Sequence, residues 1–134
     1  MTEQNKTLNI RDELERANDC LKSADLLAAN GQLADAVSRL YYYAYHSMRA
    51  LLLSKSLEPK THEGTLRLLG LHFIKPKIFS TNISHIFARL MKYMEEADYN
   101  ALYIVAEEDY PEFRSEAVLL YNKITEFLKN EDLI

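Results

Sequence analysis

Apolar side chains recur every third or fourth position along most of the chain, and no stretch alternates like a strand for long. That period selects helices. Only three glycines and three prolines interrupt 134 residues, so the helices must be few and long. Residues 1–8 are polar and are expected to be flexible. A first helix is predicted over about residues 10–29, with Leu14, Ala17, Leu21, Ala24 and Ala28 on one stripe. Asn30-Gly31 stops it, since both residues tolerate a left-handed backbone. A second and longest helix is predicted over about residues 32–56. Thr61 caps a short third helix to about residue 71, and residues 72–81, with Pro76, read as a loop. Ile83, Ile86, Phe87, Leu90, Met91 and Met94 mark a fourth helix. Pro111 opens a fifth, with Phe113, Ala117, Leu120, Tyr121, Ile124 and Leu128 facing inward. The expected architecture is all-α: a single domain over residues 1–134, built as an antiparallel up-and-down bundle of four to five helices.

Several function classes drop out. The longest uninterrupted apolar run is far too short to span a bilayer, and the first residues lack a signal-peptide pattern. A single cysteine, Cys20, rules out an internal disulfide framework and suits a reducing cytoplasm. No Cys/His spacing suits zinc, so neither a metal nor a cofactor is expected. Charge is unevenly distributed. Residues 1–38 carry −3, residues 39–92 carry +7 (nine Lys/Arg against two Glu), and residues 93–134 carry −8. The basic centre either offers phosphates a surface or is neutralised by acidic ends packed beside it.

The second helix carries two stripes when its residues are set 100° apart. Leu33, Val37, Leu40, Ala44, Met48 and Leu51 make an ordinary core face. Arg39, Tyr42, Tyr43, His46, Ala50 and Leu53 lie nearly opposite. Two tyrosines, an arginine and aliphatic residues resemble an interface composition. This stripe therefore calls for a partner, either another helix of the chain or, preferred on composition, a second copy. Arg39 and His46, seven apart, return to nearly the same side of the helix. Elsewhere, His72 and His85 have no partner at useful spacing. Tyr99 is expected to pack on the second helix, and Glu107-Glu108-Asp109 to form a solvated entry to the fifth.

Ser38-Arg39-Leu40-Tyr41-Tyr42-Tyr43-Ala44-Tyr45-His46, continued by Ser47-Met48-Arg49-Ala50-Leu51-Leu52, resembles the signature helix of the HEPN domain family. Leu57-Glu58-Pro59-Lys60-Thr61-His62-Glu63-Gly64 and the Ala97-Asp98-Tyr99 helix end are similar to further segments of its small stand-alone members. The resemblance implies a dimeric helical bundle. Many active members are metal-independent endoribonucleases with an Arg-x(4–6)-His motif, often the toxin of a toxin–antitoxin pair. By that resemblance Arg39 holds the scissile phosphate and His46 is the general acid or base, the two acting across a dimer cleft. Ser38, Tyr42, Tyr43, Arg49 and His62 become candidate RNA- or nucleotide-binding residues. Leu40 occupies a position where many active members have a polar side chain. The implied partners are RNA or a nucleotide, a second copy, and a nucleotidyltransferase-type antitoxin. The alternative is a non-catalytic module that binds a nucleotide or docks a nucleotidyltransferase.

Overall fold

One helix is the axis of the molecule, because its sequence is apolar almost all the way round. In the computed structural model, which describes residues 2–134, the chain forms α1 (Glu3–Ala29), α2 (Leu33–Leu53), α3 (His62–Leu69), α4 (Thr81–Tyr99) and α5 (Tyr110–Asn130). A π-helical turn, Gly70–Ile74, extends α3, and a 3-10 turn, Glu107–Asp109, leads into α5. The described residues contain no strand. The five helices pack as a bundle in which α2 touches α1, α3, α4 and α5.

The turn between α1 and α2 is tight. The Gln32 N–H bonds back to the Leu27 carbonyl at 2.8 Å, and Gly31 adopts φ +76°, a left-handed conformation that glycine enters at little cost. The two long helices therefore lie side by side as an antiparallel hairpin. On α1, Ile10, Leu14, Ala17 and Ala24 are buried at heptad-like spacing. Ala36, Ala44 and Ala50 are buried on α2, and such small side chains allow close approach. A guanidinium fork ties α1 to α5. Arg114 donates to both oxygens of Asp25 at 2.8 and 2.9 Å, and the Tyr110 hydroxyl donates to Asp25 at 3.0 Å.

Several expectations change here. α1 begins at Glu3, not near residue 10, because the Thr2 hydroxyl caps the Asn5 N–H at 3.1 Å. The first part of the expected loop over residues 72–81 is helical. Phe73, fully buried, packs edge-on to Phe127 and beside Phe79, and that burial extends α3 as a π turn past Gly70. The second stripe of α2 divides. Tyr43, Ala50 and Leu53 are buried within the domain, while Arg39, Tyr42 and His46 stay half-exposed. Tyr99 does not pack on α2; it stands 83% exposed. No helix is long and apolar enough to cross a membrane among the described residues.

Candidate functional site

From Ala36 to Leu53 every side chain of α2 is buried except Arg39, Tyr42, Tyr45, His46 and Arg49, and these five are half-buried. They follow one another at helical spacing, so they form a single polar and aromatic line along an otherwise apolar helix. Arg39 and His46 lie on it two turns and about 10 Å apart along the axis. The Arg39 guanidinium lies over the Tyr42 ring at 4.7 Å. Tyr42 meets Tyr45 edge to face at 6.0 Å, and the Tyr45 ring lies 5.5 Å from that of His46. Cation–π and edge-to-face contacts of this kind hold the line together without using up its polar atoms.

Two other helices complete it. From α1, Glu13 reaches across with both oxygens: Oε2 lies 2.8 Å from His46 Nδ1, and Oε1 accepts from Arg49 Nε at 3.2 Å. Burial works to raise the Glu13 carboxyl, but the hydrogen bonds from His46 and Arg49 outweigh it and hold the group below its ordinary range. Glu13 is thus a carboxylate at neutral pH, so the hydrogen between the two residues belongs to Nδ1. The neutral imidazole then keeps its lone pair on Nε2, the nitrogen a proton-transferring histidine needs free. Arg49 also donates to the Pro59 carbonyl at 3.2 Å, which fixes the turn leading to α3.

From α3, His62 sits at the first helical position behind its Thr61 cap. Its ring is surrounded by Tyr41, Tyr42 and Tyr45 at 5.4, 6.0 and 4.9 Å. The Tyr41 hydroxyl and His62 Nδ1 share a hydrogen bond of 2.7 Å. Burial, reinforced by the neighbouring tyrosines, pushes Tyr41 far above the ordinary phenol range, so it stays neutral.

The residues singled out from sequence thus divide. Arg39, Tyr42, His46 and His62 are brought to one surface. Arg49 joins them, but its guanidinium is held by Glu13 and Pro59. Tyr43 is a correction: it is 1% exposed, stacked on Tyr121 at 5.2 Å, and has no open ring face for a base. Ser38 is likewise buried, at 6% exposed, beneath the surface rather than on it. Glu13 and Tyr45 were not foreseen. Tyr45 could have been found from its place one turn beyond Tyr42; Glu13 offers no such signal, since helical periodicity carries no register between separate helices.

Arg39 differs from the other basic residues of the face. Among the described residues no carboxylate lies within ion-pair distance of it; its guanidinium lies over the Tyr42 ring and also acts on the Cys20 thiol of α1. An arginine stacked but not neutralised is suited to bind a phosphate through its planar fork. An oriented imidazole lies along the same helix face.

Comparison with known sequences adds the relatives. A model of the HEPN domain matches residues 10–130. The Methanocaldococcus jannaschii protein named "Putative toxin MJ0605" is 33% identical over 125 residues, covering 90% of this chain and 92% of that protein. "Putative toxin MJ0142" of the same organism is 28% identical over 122 residues, covering 90% and 82%. "UPF0332 protein PH1297" of Pyrococcus horikoshii is 36% identical over 88 residues, which is 63% of this chain and 59% of that relative's length.

Proposed function

Because the chain belongs to the HEPN domain family, we propose that it is a metal-independent endoribonuclease, the toxin of a toxin–antitoxin pair, using Arg39 and His46. The observation that carries this is the composition of the partly exposed line on α2, two arginines, two tyrosines and a histidine on a helix otherwise buried from Ala36 to Leu53. In this reading the ribose 2′-hydroxyl attacks the adjacent phosphorus. The P–O2′ bond forms and the P–O5′ bond breaks, leaving a 2′,3′-cyclic phosphate and a 5′-hydroxyl. His46 Nε2 takes the 2′-hydroxyl proton, or in its protonated form gives one to the leaving oxygen. Arg39 binds the phosphate oxygens as charge gathers on them. Glu13 is a positioning residue that fixes the His46 ring. Tyr42 offers a face on which a base can stack, and His62 borders the same surface. A homodimer would bring two such lines to one cleft, and a nucleotidyltransferase-type antitoxin would be the cytoplasmic partner.

The test is incubation of the purified protein with RNA in excess chelator. Cleavage by the wild type that disappears in His46→Ala supports the reading; no cleavage, or cleavage indifferent to that substitution, defeats it.

Leu40 supports a second reading. It is fully buried, so no polar side chain follows Arg39 toward the surface. A non-catalytic module that binds a nucleotide or docks a nucleotidyltransferase would still use Arg39 and Tyr42. Calorimetry with ATP and GTP in the absence of any cleavage distinguishes it: saturable binding lost in Arg39→Ala favours the module.

A further inference from the structure

Past the end of α4 the chain makes an ordered turn and then runs extended into the 3-10 turn. Asn100 builds the turn. Its side-chain oxygen accepts from the Leu102 N–H at 3.0 Å, its carbonyl accepts from the Tyr103 N–H at 3.0 Å, and its side-chain amide donates to Glu96 at 2.9 Å. Beyond it the side chains alternate. Tyr103 and Val105 turn inward, while Leu102 and Ile104 each stand 87% exposed. With Tyr99 these make a ridge of three large, exposed apolar side chains on a pinned turn. Large apolar residues gathered in this way mark contact sites more often than solvated surface.

A hollow flanks the ridge on each side. One, of about 480 Å³, has Tyr42 and Tyr99 as aromatic walls with Glu95 and Glu96 at its rim. The other, of about 500 Å³, lies beside Ile104 and is bordered by Tyr93, Asp109, Glu112 and an Arg89–Glu116 ion pair, so its net charge stays acidic. Between residues 93 and 116 there are eight Asp/Glu and a single basic residue, Arg114, whose guanidinium is held by Asp25. Aromatic walls with carboxylates at the rim suit the cationic head and aliphatic stem of a lysine or arginine. The same charge repels nucleic acid backbones. It also opposes a twofold contact centred on the ridge, because such a contact sets the same acidic patch against itself.

We infer that the Tyr99–Leu102–Ile104 ridge is a docking surface for a partner protein, which presents aliphatic side chains to the ridge and lysine or arginine side chains to the two hollows. This inference does not rest on the nuclease reading, although Tyr42 and His62 belong to both surfaces, so a bound partner lies against the Arg39 face.

The probe is a synthetic 18-residue helical peptide with leucines at i, i+3 and i+7 and flanking arginines, compared with the same peptide carrying glutamates in place of arginines. Binding is followed by fluorescence anisotropy to the full chain, to a Leu102→Asp/Ile104→Asp variant and to Glu95→Gln/Glu96→Gln. Both leucine and isoleucine side chains are exposed, so the first variant keeps its fold, and circular dichroism checks this. The expected result is saturable binding of the arginine peptide alone, weakened at least tenfold by either variant and by raised salt. Absence of saturable binding, equal binding of the glutamate peptide, or unchanged affinity in the variants overturns the inference. So does sedimentation showing that the wild type self-associates and Leu102→Asp/Ile104→Asp abolishes it, since the occupant is then a second copy.

Discussion

Glu13 on α1 holds His46 on α2 through a 2.8 Å contact between Oε2 and Nδ1, while its other oxygen takes Arg49. One carboxylate therefore sets both the tautomer and the orientation of the imidazole. The same contact crosses the longest helix–helix seam of the fold, so the group that would position the catalytic base also helps dock α1 on α2. Function and packing meet at this residue.

Glu13→Gln separates the two roles. Glutamine keeps the shape but can offer either an oxygen or an amide N–H to Nδ1, so the ring loses its enforced tautomer. RNA cleavage is expected to fall by about tenfold or more, since a positioned general base contributes on the order of 100-fold or more and misorientation forfeits part of it. Thermal unfolding shifts little. Glu13→Ala leaves Arg49 and His46 without their partner and is expected to cost about 1–2 kcal/mol besides. Equal cleavage by wild type and Glu13→Gln contradicts the positioning role.

Stability should fall in acid, for a reason that can be traced. Glu13 and Asp25 are both held below the ordinary carboxylate range: Glu13 against its burial by His46 and Arg49, Asp25 chiefly by the Arg114 hydrogen bonds. A carboxyl lower in the fold than in the unfolded chain stabilises fully above its unfolded value. That contribution is lost as the pH falls through the folded value, because there the unfolded chain binds more protons. The melting temperature is expected to hold from pH 7 to about 5 and to decline below it. Glu13→Gln/Asp25→Asn should flatten the decline. Asp25 and Arg114 are each more than a third exposed, so solvent screens that pair and Arg114→Ala should cost no more than about 1 kcal/mol.

Adjacent tyrosines on α2 should behave oppositely. Tyr43 is stacked on Tyr121 inside the bundle, and Tyr43→Ala empties a fully packed position, at a cost of about 3–5 kcal/mol by urea unfolding. Tyr42 is half-buried under the Arg39 guanidinium. Tyr42→Ala should cost about 1 kcal/mol and weaken RNA binding instead, by about 1–3 kcal/mol for one lost stacking face. Similar stability losses at the two positions defeat this assignment.

Arg39→Lys keeps the charge and discards the fork. If bidentate phosphate recognition is what Arg39 supplies, lysine should restore little of the activity that Arg39→Ala loses, while the melting temperature falls no further in either variant than in Tyr42→Ala. Restoration to near the wild-type rate indicates a simple charge effect.

The fold was largely legible in the sequence because its period is so regular: Val37, Leu40, Ala44, Met48 and Leu51 form the expected core face. The second stripe was harder. Its aliphatic members Ala50 and Leu53 are buried within the domain, and a helical wheel shows that a face is apolar without showing what covers it. Tyr43 lies about 100° from Tyr42, enough to turn one ring into the core and leave the other at the surface. Glu13 was invisible for a related reason: it meets His46 across 33 residues, and nothing in either helix's pattern sets the register between them. The π turn after Gly70 follows from the burial of Phe73 against Phe127, a contact between residues far apart in the chain.

The most direct test of the Arg39/His46 assignment uses one oligonucleotide made twice, as RNA and with a 2′-deoxy sugar at the cleaved position, incubated with the protein in excess chelator. The expected result is cleavage of the RNA alone, with a 2′,3′-cyclic phosphate at the new end, and no cleavage by His46→Ala. Cleavage of the 2′-deoxy substrate, or product ends without the cyclic phosphate, contradicts it.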